Sequence, residues 1–314
     1  MTTGEQGLWA RLVDSENAIY GAHEGHRAAH AKGTLCAGVF TATPAASKLT
    51  RAPHLQGEPI RTHVRFSNAA GDPTKRDGTN DARGMAVKFY LPDGGTADIS
   101  ATTASVFVAR IPEDVLELNT ARTPVAETGK PDLDKVGTYL GSHPEALPAV
   151  EEAMLSQAPV SFLRRRYFAL HAFKFISADG VEGWVRYRWE PDEGEASLTR
   201  EEAQQRDHDY LRADLEEQLS QGPKGFSLWV EIAEEGDPVD DPTTRWPEDR
   251  ENVELGRLEI MELAFDREQD GDVLVFDPTR VPDGIELSND PILLARPHIY
   301  AESVYRRSGV RRDA

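Results

Sequence analysis

Cysteine is nearly missing from this chain. Cys36 is the only one in 314 residues, so an intramolecular disulfide and a thiolate-held metal cluster are both excluded. A lone free cysteine is expected to be a small buried hydrophobe. Long apolar runs are missing too, and none approaches the roughly 18 residues that span a bilayer. The opening MTTGEQGLWARLVDSENAIYG lacks the basic start and apolar stretch of a secretion signal. Positive charge is scarce: 35 Lys and Arg face 54 Asp and Glu, for a formal net charge of -19. So acidic a chain repels phosphate backbones and anionic bilayers. Nucleic acid and membrane are therefore not expected as partners, and the expected location is the cytoplasm. No GxGxxG or GxxxxGK[ST] loop occurs, which argues against a nucleotide cofactor.

What is present is a globular composition, 39% hydrophobic and 28% charged, long enough for a sizeable core. Residues 5–19 have amphipathic helical spacing. From about 35 to 110 the pattern is strand-like, with THVRFSN, GMAVKFYLP and ASVFVAR parted by Gly, Pro and Asp turns. Helical spacing runs from 112 to 157, and strands return at 167–177 and 183–189. In the second of these, Val185, Tyr187 and Trp189 share one face. A long helix follows, opened by the capping-box spacing of Thr199 and Glu202 and ended by Gly222-Pro223. Strands are expected at 226–232 and 257–265, with a last helix over 289–308 carrying Asp290, Arg296, Tyr300 and Arg307. Antiparallel-looking strands with helices in blocks predict an α+β fold built on a curved sheet or barrel. The acidic, Pro-rich stretch 234–252 is expected to be a surface loop. DREQDGDVLVFD (266–277) has a faint likeness to a calcium loop, but strand-like flanks favour an Asp-Gly hairpin turn.

Five segments carry the chemistry: HRAAHAKGTLCAGVF (26–40), THVRFSNAAGD (62–72), TNDARGMAVKFYLPDGGTADISATTASVFVAR (79–110), YFALHAFKF (167–175) and NDPILLARPHIYAESVYRRSG (289–309). Taken singly, each has an ordinary reading: a satisfied histidine, a packing tyrosine, surface arginines. Taken together, RxxHAKG, VRFS, DxRGxAxKFY and RxxxY, in order from about residue 20 to 309, resemble the haem catalases. The short length resembles the small catalase-related peroxidases of that family. The resemblance implies an antiparallel eight-stranded β-barrel with surrounding helices. It also implies one catalase-core domain over 1–314, with residues 1–20 as a helical extension and no extra C-terminal domain.

It further implies haem b as cofactor, with Tyr300 as the axial ligand of the iron. A phenol, whose ordinary pKa is about 10, must ionise to bind ferric iron well, and a cation beside it helps. Arg296 matches the arginine that plays this part, one helical turn before Tyr300. His171 and Asp290 match the residues behind that arginine. On the other face, His30 matches the distal acid–base histidine and Ser67 the serine that orients it. Arg27, Arg65 and Arg307 match the arginines that bind the haem propionates, and Phe107 matches an aromatic of the distal pocket. The pattern departs where catalases carry a distal asparagine: here stand Thr102 and Thr103. Ala28 and Ala29 are small where larger residues are usual, and Val115 replaces an aromatic. These changes predict a haem peroxidase that reduces hydrogen peroxide or organic hydroperoxides with a small organic one-electron donor, with weak catalase activity. Missing the arm that interlocks catalase tetramers, it is expected to be a monomer or homodimer. Two alternatives stay open: a fatty-acid hydroperoxide-transforming enzyme resembling coral allene oxide synthase, and a haem-binding barrel without turnover.

Overall fold

The computed structural model describes residues 7–265 and 273–309. In chain order the strands are β1 (Gly33–Ala42), β2 (Ile60–Asn68), β3 (Arg83–Tyr90), β4 (Thr96–Thr102), β5 (Tyr167–Ile176), β6 (Glu182–Pro191), β7 (Lys224–Ile232), β8 (Asn252–Leu263) and β9 (Ile285–Leu287). The helices are α1 (Leu8–Tyr20), α2 (Ala46–Leu49), α3 (Pro112–Arg122), α4 (Leu133–Ser142), α5 (Leu147–Leu155), α6 (Arg200–Gln205), α7 (Tyr210–Ser220) and α8 (Pro291–Ser308).

The strands follow one another in the order β4-β3-β2-β1-β8-β7-β6-β5, and β4 meets β5 to close the ring. All pairings are antiparallel, and short β9 adds to the far end of β5. This is the eight-stranded antiparallel barrel that the sequence implied. Alternation explains its core: Val64 and Phe66 of β2 point inward with Phe40, Phe89, Trp189 and Phe226, all fully buried. Cys36 also lies in that core, where burial pushes its thiol up to about 12 and leaves it inert.

Two expectations fail locally. ASVFVAR is irregular after Thr102 rather than a strand. Thr102 already closes the barrel against Phe168, so no free edge is left for the residues beyond it. The segment is held from outside instead: the Ser105 amide donates to Glu152 at 2.8 Å and the Phe107 amide to the Pro242 carbonyl at 2.8 Å. The helix expected from 199 to 222 is two helices. The Thr199–Glu202 capping box does open α6, but buried Asp77 then accepts from the Leu211 amide at 3.0 Å and restarts the chain as α7. Stretch 234–252 is a loop, tied down by Arg186, which donates to the carbonyls of Thr244, Pro238 and Asp241. The Asp270-Gly271 turn lies outside the described residues.

One buried histidine makes the barrel sensitive to acid. His54 is 2% exposed, its Nδ1 has no hydrogen-bond partner, and its ring lies 4.8 Å from that of Phe89. Burial alone pushes its pKa down from 6.5 to about 4. The unfolded chain binds this proton below pH 6.5 and the folded chain does not until about pH 4. Stability is therefore full above 6.5 and falls as pH drops through that window, by about 3 kcal/mol from this group. His54→Leu should flatten the pH dependence of the urea midpoint between 6.5 and 4.5; an unchanged slope would contradict the assignment.

Candidate active site

Four strands bring one row of residues side by side. Gly33 of β1 pairs with Ser67 of β2, Ser67 with Gly84 of β3, and Gly84 with Thr102 of β4. Directly paired residues share a face of the sheet. Because Val64 and Phe66 face the core, Arg65 and Ser67 between and beside them face outward, where both are nonetheless buried.

His30 precedes β1 and reaches this row from outside the barrel. Its Nδ1 lies 2.9 Å from Ser67 Oγ. Its amide donates to the Ala69 carbonyl at 2.9 Å, the next amide donates to Ala70 at 3.1 Å, and its own carbonyl accepts from Arg65 Nη1 at 3.0 Å. So held, it has φ 55, the one positive value at a non-glycine among the described residues. A left-handed conformation of this kind costs on the order of 1–3 kcal/mol and persists where surrounding contacts dictate it.

The two glycines of the row make the space. A Cβ at Gly84 would stand 2.7 Å from Ser67 Oγ and 2.8 Å from His30 Nδ1, and one at Gly33 would stand 2.5 Å from the guanidinium carbon of Arg65. Neither glycine was singled out in the sequence, although both sit inside the motifs, as the last residue of HAKG and the glycine of ARG. Gly84→Ala should displace the imidazole and lower any turnover that depends on this ring roughly tenfold to a hundredfold while circular dichroism stays native. Full turnover in a folded variant would show that the close approach is unimportant.

His30 is half-buried by surface area, yet deep enough that charging its ring is strongly disfavoured. Burial, then repulsion from Arg65, Arg27 and Arg296, pushes its pKa down to about 3. Arg27 Nη2 donates to the Leu274 carbonyl at 2.9 Å. Ala28 and Ala29 are half-buried next to it.

The other half of the site comes from α8. Asp290 caps this helix, its Oδ1 accepting from the amides of Ile292 at 2.8 Å and Leu293 at 3.3 Å, and Pro291 occupies the first turn. The second oxygen of Asp290 accepts from His171 Nδ1 of β5 at 2.6 Å, each side chain being 1% exposed. One carboxylate thus fixes both the start of the helix and the ring behind it. Burial and Arg296 push His171 down to about 4, outweighing Asp290, which pulls upward. One turn into the helix, Arg296 Nη1 donates to the Tyr300 hydroxyl at 3.0 Å. Arg296 Nε and His171 Nε2 are buried without a hydrogen-bond partner. Arg307 lies two turns beyond Tyr300 and donates to Ser303 at 3.1 Å.

Arg296 holds the Tyr300 oxygen, and its charge adds to those of Arg65 and Arg27 in keeping the His30 ring neutral. The structure thus groups His30, Ser67, Arg27, Arg65, Arg296, Tyr300, His171 and Asp290. Thr102 belongs by register, next to Gly84. Thr103 is engaged elsewhere, its Oγ1 accepting from the Arg83 amide at 3.0 Å. Phe107 lies in the irregular segment after β4, and Val115 lies in the first turns of α3. Chemically, a neutral imidazole can take and return a proton, and a phenol beside a guanidinium can ligate a hard, highly charged metal ion.

Comparison with known proteins agrees with this layout. The family model for catalase matches residues 22–313. The chain is 42% identical over 307 residues to a catalase-related peroxidase of Mycolicibacterium paratuberculosis, covering 97% of this chain and 96% of that protein. It is 33% identical over 298 residues to a catalase-related peroxidase of Synechococcus elongatus, covering 95% and 88% respectively. Among solved structures, a bacterial catalase superposes with a TM-score of 0.79 at 26% identity, over 90% of this chain and 57% of that one. This chain belongs to the catalase family.

Proposed function

We propose that this chain is a haem b peroxidase that reduces hydrogen peroxide or an organic hydroperoxide with a small organic one-electron donor, His30 moving the proton and Tyr300 holding the iron. The observation that carries the reading is the hydrogen bond that Arg296 gives the Tyr300 oxygen, on a helix whose cap, Asp290, also holds His171.

The residues fit a ferric porphyrin. A phenol oxygen that accepts from a guanidinium is suited to become a phenolate. His171 donates from Nδ1 to Asp290, which leaves its buried Nε2 an acceptor. Arg27, Arg65 and Arg307 would hold the propionates, as their forked donors suit carboxylates. Bound haem would supply the iron-centred redox chemistry that O–O cleavage needs.

The chain's own part is proton transfer. At neutral pH, His30 is uncharged. With Nδ1–H donating to Ser67, Nε2 is the free base: it takes the proton from one peroxide oxygen and returns it to the other. The strained backbone and the glycines at 33 and 84 keep that nitrogen in place. A second peroxide would meet Thr102 and Thr103 in place of an asparagine amide, and one of those hydroxyls already accepts from the backbone. Weak catalase activity follows, and the half-buried Ala28 and Ala29 leave room for organic hydroperoxides.

We read the chain as one catalase-core unit with an N-terminal helical extension, acting in the cytoplasm as a monomer or homodimer. Among the described residues, no helix is long and apolar enough to cross a membrane. The test of function compares oxygen release with dye oxidation at equal peroxide. Dye oxidation should dominate; vigorous oxygen release with negligible dye oxidation would reverse the assignment.

A further inference from the structure

A second group of ligand-type side chains lies in the helices that follow β4, and the haem reading does not use it. Asp114 stands in the first turn of α3, His143 caps the end of α4, and Glu145 lies in the 3-10 turn Pro144–Ala146 that follows. All three are half-buried, and their ligand atoms lie within 4.8 Å of one another.

Distance separates two explanations of the cluster. His143 Nε2 and Asp114 Oδ1 are 3.6 Å apart. A charge-assisted hydrogen bond between them would bring them to about 2.7–2.9 Å. Two ligands of one tetrahedral ion, with bonds of about 2.1 Å, stand about 3.4 Å apart. The observed spacing matches shared ligation better than direct pairing.

The histidine is also oriented as a ligand. Its Nδ1 lies 3.1 Å from the Tyr139 carbonyl, which can only accept, and its Nε2 faces Asp114. Metal-binding histidines are held by this kind of bond to a backbone carbonyl. Ser142 Oγ, also 3.1 Å from Nδ1, donates to the same carbonyl at 3.0 Å.

A neighbouring side chain gives an independent sign. Tyr139 stacks on His143 with ring centroids 4.1 Å apart. It is covered although it lies just beneath the surface, at 2% exposure, and its hydroxyl has no hydrogen-bond partner. Asp114, Glu145 and Glu117 all act on that hydroxyl. An imidazole, two carboxylates and an unsatisfied phenol thus lie together.

We propose that Asp114, His143 and Glu145 bind a divalent transition-metal ion of the zinc type, bordered by the Tyr139 hydroxyl. An imidazole in the set selects for such ions over magnesium and calcium, which favour all-oxygen sites. Three protein ligands leave a position for water. The ion staples the start of α3 to the end of α4, and α3 packs against both α1 and α8, the helix that carries Tyr300.

The test is calorimetric titration of the tag-free, haem-loaded protein, cleared of metals by chelation, with zinc chloride. One Zn²⁺ per chain should bind and raise the Tm, while Mg²⁺ at the same concentration should do neither. His143→Gln and Glu145→Gln should each weaken Zn²⁺ binding at least tenfold and leave the Soret band unchanged. His143 also ends a helix, so Glu145→Gln, in a short surface turn, keeps the test sound if the histidine variant misfolds. No stoichiometric uptake by the wild type, equal binding of Mg²⁺, or undiminished Zn²⁺ affinity in either folded variant would overturn the proposal.

Discussion

His30→Ala should lower peroxide turnover by about 10²–10⁴-fold, the usual worth of a positioned acid–base group, while haem uptake stays at the wild-type level. The two readouts separate because the imidazole contributes to the proton path and not to the grip on the iron. A second substitution tests the backbone. His30 sits at φ 55, which alanine dislikes and glycine accepts. His30→Gly should therefore be as inactive as His30→Ala and more stable in urea. The pH profile carries the same signature. Burial and three arginines hold the His30 pKa down to about 3, so the working neutral ring persists well below pH 7. Initial rates under conditions where the protein stays folded should be level from neutral pH down to about 5 and fall as the ring takes a proton near 3. A variant lacking the imidazole that still turns over peroxide at near wild-type rate would refute the role.

Tyr300→Phe should do more damage than any change around it. Removing Arg296, one step from the iron, is expected to cost about 10–100-fold in metal-site affinity or activity, the range for partners that orient a ligand. Phenylalanine at 300 would delete the oxygen proposed to hold the iron, so haem retention and turnover should both fall below the Arg296→Leu level. Haem per chain after gel filtration, measured beside peroxide turnover, gives the order. Equal haem content and equal turnover in Tyr300→Phe and wild type would contradict it.

How much of this could be read from the chain follows from what each signal reports. Alternation in THVRFSN reports which face a residue takes, and Val64 and Phe66 do face the core. Asp290-Pro291 reports a helix start, and α8 begins there. Alternation cannot report whether a partner strand exists, which is why ASVFVAR reads as a strand and is irregular once Thr102 has closed the ring. Local spacing also cannot see a distant cap, so the break before α7, made by Asp77, was hidden. The motifs offer His30, Ser67, Arg296 and Tyr300 as candidates, and the fold pairs His30 with Ser67 and Arg296 with Tyr300. The left-handed backbone at His30 and the clearances at Gly33 and Gly84 arise only when three strands meet. Single residues showed no trace of them beyond a glycine in each motif.

The most direct test of the central claim is an absorption titration of the purified chain with hemin. The account predicts uptake that saturates at one haem per chain, with a ferric spectrum of phenolate ligation that is lost in Tyr300→Phe. Uptake that never saturates, or a saturated spectrum identical in Tyr300→Phe and wild type, would contradict it.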